Sequence, residues 1–179
     1  MEVASLEQLK YPIGNFQAKA AYSETNRISD IELIATLPAR LSELVRDFTE
    51  DQFNTPYRTD GWTVRQLIHH LADSHLHAWI RIKWALTEDC PTIKAYDEKL
   101  WASTPDNVLP ASISLAFLTA HHARWSETLR TLKTDDWLKS FIHPVTGAKI
   151  TIERMLQLYS WHGAHHFAHI LRLKSERSW

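Results

Sequence analysis

The chain has 179 residues, 44% of them hydrophobic, with 20 Lys+Arg set against 21 Asp+Glu. That length suits a single domain spanning 1–179 with a core large enough to need no cross-links, and the charge balance excludes the basic footprint of a nucleic-acid binder or a polybasic membrane-surface protein. Cys90 is the lone cysteine, which excludes an intrachain disulfide and a thiolate-rich metal site. The absence of an apolar leader and of any run near the ~20 apolar residues of a membrane span sets the expectation of a cytoplasmic protein.

Residues 1–28 read as irregular, with an extended segment and turn at Tyr11-Pro12-Ile13-Gly14 that packs on the domain. A helix is expected from about Ser29 to Phe48, its apolar stripe carried by Ile31, Ile34, Ala35, Leu41, Leu44, Val45 and Phe48. Ser29 and Glu32 read as its capping box, and Pro38 should kink or split it. After a connector at 55–61, Thr63 and Gln66 read as a second capping box. The helix that follows should reach about Leu86, with Val64, Leu67, Ile68, Leu71, Ala78, Trp79 and Ile82 inward. Residues 91–110 form a connection long enough to be functional or packed over something. A third helix is expected over Ser112–Leu132, a short element at Asp135-Asp136-Trp137, a hairpin within 141–150 about Gly147, and a last helix over Thr151–Leu173. Four long amphipathic helices with one long crossover connection make an all-α four-helix bundle.

The eleven histidines are clustered: four at 69–77, two at 121–122, four at 162–169, with His143 apart. At about 100° per residue, His162 and His166 fall near the middle of the apolar face of the last helix, within about 20° of Met155. Residues at i and i+4 are neighbours, and two buried imidazoles there are satisfied together by one metal ion. A third ligand should come from a facing helix. The second helix offers His70, on a polar stripe with Gln66, Asp73, Ser74 and His77, and His75, at a core position. Periodicity leaves these two open.

The segment Gly61-Trp62-Thr63-Val64-Arg65-Gln66-Leu67-Ile68-His69-His70-Leu71-Ala72-Asp73-Ser74-His75 resembles the first motif of the DinB/YfiT-like superfamily. Trp161-His162-Gly163-Ala164-His165-His166-Phe167-Ala168-His169-Ile170 resembles the second. Tyr11-Pro12-Ile13-Gly14, Tyr57-Arg58 and Tyr96-Asp97-Glu98-Lys99 are similar to the YfiT branch in particular. The resemblance runs over nearly the whole chain. It implies a four-helix bundle, usually a homodimer, with a three-histidine metal site whose ligands match His70, His162 and His166.

The resemblance further implies a metal-dependent hydrolase, or a transferase using a low-molecular-weight thiol such as bacillithiol or mycothiol, acting on a small molecule. Zinc and nickel suit three imidazoles best, with iron and manganese as further candidates. Asp73 is the nearest carboxylate to His70, as a base or as a group orienting a ligand ring, and Tyr159 shares the face of His162 as a candidate proton donor. Arg58, Arg65 and Arg124 could hold the anionic groups of a thiol, or serve in ordinary salt bridges. Trp125 reads as core. The competing readings are a non-catalytic metal or heme binder and a dimer stapled by its metal.

Overall fold

A computed structural model of the chain describes residues 6–179. The first five residues of the segment expected to be irregular lie outside the described residues. That segment is more ordered than expected. A short helix α1 covers Leu6–Lys10, and Gly14, at φ 77°, closes the turn from Tyr11. The stretch that follows packs on the last helix, where Lys19 N donates to Gln157 Oε1 at 2.9 Å.

The long helix α2 spans Glu24–Leu44. It begins one and a half turns before the expected start, because Ser23 and Asn26 form the capping box and Ser29 falls inside the helix. It also runs unbroken past Pro38. The ring removes one donor, and the carbonyl of Ile34, four residues back, finds another partner in the side chain of His122 at 2.7 Å. A short helix α3 covers Glu50–Phe53. Helix α4 then spans Val64–Thr87 from the Thr63–Gln66 capping box. The connection at 91–110 contains a short helix α5 (Glu98–Trp101) and a 3-10 turn at Pro105–Val108. Helix α6 spans Ala111–Arg130, and α7 spans Ile152–Glu176 from its N-cap Thr151. Between them lie a 3-10 turn at Thr134–Leu138 and the expected hairpin, in which β1 (Ser140–Ile142) pairs antiparallel with β2 (Lys149–Thr151).

The long helices α2, α4, α6 and α7 form a four-helix bundle. Both α2 and α4 pack against α6 and α7, so the order around the bundle is α2, α6, α4, α7. The interior is two apolar clusters. One gathers Ile31, Ile34, Ala78, Ile82, Trp125, Leu129, Met155 and Tyr159; the other gathers Leu37, Leu41, Leu67, Leu71, Leu118, Ile170 and Leu173. On α4, α6 and α7 the changeover between the two clusters is occupied by histidine: His75, His122, and His162 with His166. No helix among the described residues is long and apolar enough to cross a membrane.

Candidate metal centre

The capping box that starts α4 also fixes the site. Thr63 Oγ1 accepts from Gln66 N at 3.1 Å, and Gln66 Oε1 accepts from Thr63 N at 3.0 Å. The amide of Gln66 then donates to Ala102 O at 3.1 Å, tying the N-terminal turn of α4 to the 91–110 connection. One turn after Gln66, His70 projects toward α7. There Gly163 lets α7 approach α2 closely, since a Cβ at that position would lie 2.7 Å from Leu37 Cδ2. Facing α4 from the same helix, His162 and His166 lie opposite His70.

Three Nε2 atoms converge. His162 Nε2 lies 3.3 Å from His70 Nε2 and 3.1 Å from His166 Nε2. The ligand atoms of the three residues all lie within 4.8 Å of one another. Imidazole nitrogens bound to one zinc at 2.0–2.1 Å in tetrahedral geometry stand about 3.3 Å apart, so the spacing fits a metal ion. The protonation state fits as well. Burial pushes His70 down to about 4 and holds His162 and His166 well below the ordinary imidazole value, so each presents a neutral ring. Hydrogen bonding alone serves the trio poorly, because one lone pair on His162 Nε2 would have to accept from two rings at once.

The trio lines a cleft of about 630 Å³, shared with Tyr57, Arg58, Trp62, Glu98, Lys99 and Trp161. The Trp62 ring stands 4.5 Å from that of His70. The long connection thus does reach the site, through Glu98, Lys99 and Ser103.

Of the three arginines, Arg58 alone lines the cleft, its Nη1 donating to Thr59 O at 2.9 Å. Arg65 is buried beside α3, bonded to Glu50, Asn54 and Leu109 O. Arg124 is exposed over the Trp79 ring at 4.8 Å. Asp73 is half-buried outside the cleft lining, and burial and the neighbouring Asp106 push its carboxyl up to about 6. The Tyr159 ring packs 5.4 Å from that of His162, but its hydroxyl meets Ser74 Oγ at 3.3 Å. Burial raises its pKa. Trp125 is fully buried core. His69 is fixed elsewhere: Nε2 donates to Leu109 O at 3.0 Å and Nδ1 accepts from Ser114 Oγ at 2.7 Å.

Two further arrangements join histidines outside the trio. His165 and His169 have their Nε2 atoms 3.1 Å apart and form a second close group with His166. On the far side of His162, His75 Nε2 lies 3.2 Å from His162 Nδ1, and His75 Nδ1 lies 3.0 Å from His122 Nε2. The 121–122 pair was conspicuous as a cluster, but its pairing with His75 joins residues 47 apart and leaves no local signal.

The DinB superfamily model matches residues 33–170. Proteins of Bacillus cereus, Bacillus thuringiensis and Bacillus anthracis, each named "Putative metal-dependent hydrolase", are 44% identical over 174 residues, which covers 97% of this chain and the whole of each relative. The solved structure of YfiT from Bacillus subtilis superposes with a TM-score of 0.93 at 43% identity, over 96% of this chain and 99% of that one. It is described as "a probable metal-dependent hydrolase with an unusual four-helix bundle topology". Sequence and architecture therefore agree along almost the full length, and the chain belongs to the DinB superfamily.

Proposed function

We propose that the chain is a metal-dependent enzyme acting on a small molecule, with one divalent ion held by His70, His162 and His166. The observation that supports this best is the convergence of three neutral Nε2 atoms, 3.1 and 3.3 Å apart, on the wall of an open cleft. Three protein ligands leave positions free, the pattern of a catalytic rather than a structural site. When bound, a divalent ion there would acidify a water from 15.7 to around 7 or ionise a thiol outright. Zinc and nickel match the donor set best, followed by iron and manganese.

The chain's own residues divide the remaining work. Burial keeps the three imidazoles unprotonated at neutral pH. Trp62 and Trp161 wall the cleft with apolar surface. Glu98 and Asp60 are the carboxylates that line it, which makes them the candidates to take a proton from an incoming nucleophile. The names of the Bacillus relatives support hydrolysis. A second reading, transfer of a low-molecular-weight thiol to an electrophile, is supported by Arg58. It is half-buried on the cleft wall, Lys99 is a second cation of the lining, and either would meet the carboxylate of such a thiol. A homodimer, implied by the family resemblance, completes the proposal; light scattering would then give twice the 20.8 kDa of one chain.

The test is to load tag-free protein with zinc or nickel, and to compare ester and amide hydrolysis with thiol conjugation. One metal per chain and turnover in one of the two assays are expected, both lost in His70→Ala and His162→Ala. Wild type that takes up none of zinc, nickel, iron or manganese would overturn the proposal.

A further inference from the structure

Behind His162 a line of hydrogen bonds crosses all four long helices. It runs from His162 Nδ1 on α7 to His75 Nε2 on α4 (3.2 Å), from His75 Nδ1 to His122 Nε2 on α6 (3.0 Å), and from His122 Nδ1 to the carbonyl of Ile34 on α2 (2.7 Å). His75 and His122 are both 0% exposed, their ring planes within 6° of parallel, as suits an in-plane N–H···N bond.

The line has a direction, set at its α2 end. A carbonyl oxygen can only accept, so His122 Nδ1 must carry the proton. This carbonyl is available because the residue four further on is Pro38, which has no N–H to give it. A neutral imidazole carries one ring proton, so His122 Nε2 is left as an acceptor and takes the proton of His75 Nδ1. His75 Nε2 is then an acceptor in turn, and takes the proton of His162 Nδ1. His162 Nε2 is left with its lone pair, facing the Nε2 atoms of His70 and His166.

We propose that His75 and His122 are positioning residues that lock His162 in the Nδ1–H tautomer, so that its Nε2 lone pair is presented to the metal centre before any ion arrives. Metal-bound histidines usually give their second N–H to a carbonyl, carboxylate or water; here the same task is passed through two imidazoles to a carbonyl freed by a proline. The functional part of this inference rests on the metal reading above, whereas the tautomer assignment stands on the hydrogen bonds alone.

Two measurements separate them. Long-range proton–nitrogen NMR of histidine-labelled wild type, without metal and with zinc, should show His162, His75 and His122 all protonated at Nδ1 and unprotonated at Nε2. His162 protonated at Nε2 in the metal-free protein would overturn the assignment. Zinc affinity is then measured by competition with a chromophoric chelator. His75→Phe, which fills the space but accepts no proton, should bind zinc roughly 10- to 100-fold more weakly, the usual loss for a group supporting a ligand. His75→Gln, whose amide can both accept from His162 and donate to His122, should recover most of that loss. Unchanged zinc affinity in His75→Phe would overturn the positioning role. If wild type takes no zinc, the metal reading fails, and the metal-free spectrum still upholds or overturns the tautomer lock. That spectrum also decides the matter if His75→Phe does not fold.

Discussion

His121 and His122 are 4% and 0% exposed, and burial brings each imidazole down to about 4. Both are neutral in the folded bundle at pH 6, whereas in the unfolded chain they would take up protons below about 6.5. Between about pH 4 and 6.5 the unfolded chain therefore binds more protons, and stability must fall as pH drops through that window. Each such histidine contributes a slope of about 1.4 kcal/mol per pH unit there. Melting temperature in the presence of a chelator should be level above pH 7 and decline steadily from about pH 6.5 to 4.5. A level profile across that range would mean these rings are not held neutral. The residue scale is also where the sequence was most and least informative. His162 and His166 were legible from helical phase alone, because burial of two polar rings on one face leaves a periodic trace. His70 was not, since its phase only marks it as bordering a cleft, and the family resemblance had to choose it over His75. The phase of His75 did read as core, but its partner His122 lies on another helix, beyond what local periodicity can reach.

At the scale of the element, the capping boxes decide where helices begin, and they were only partly readable. Thr63–Gln66 was plain in the sequence and starts α4 as expected. Ser29–Glu32 has the same form, yet Ser23 and Asn26 cap α2 six residues earlier. Inside the helix, the Asp30 carboxylate takes hydrogen bonds from the Tyr22 hydroxyl, next to the observed cap, and from Ser160 Oγ on α7. Gly163 is the other element-level device. In Gly163→Ala the new methyl would press on Leu37, itself 1% exposed, and such overpacking costs about 1–3 kcal/mol. The gain of about 1 kcal/mol in helix propensity offsets part of that. The expected result is a net loss of about 1 kcal/mol in urea unfolding, with His75 only in ordinary contact at 3.6 Å. A stabilised variant would show that α2 and α7 are less tightly apposed than this packing requires.

On the scale of the whole molecule, the histidines form a polar layer between two apolar clusters, each made of residues from all four long helices. The clusters do not need the layer to fold. Removing the metal should therefore leave a helical, cooperatively melting protein by circular dichroism. A lower melting temperature should recover on adding zinc, as mass action requires for a ligand of the native state, by about 2.7 kcal/mol at a free concentration one hundred times Kd. Unfolding on chelation at room temperature would instead favour a metal that staples the fold. The bundle as a whole was legible from four amphipathic stretches and their connections. The cyclic order α2, α6, α4, α7 was not, because it depends on which faces meet and not on how apolar each face is.

If one ion sits among His70, His162 and His166, crystals grown with zinc should reveal it through anomalous scattering at the zinc edge. A single strong peak about 2.1 Å from all three Nε2 atoms is the predicted result. No peak there, or a peak confined to His165 and His169, would contradict it.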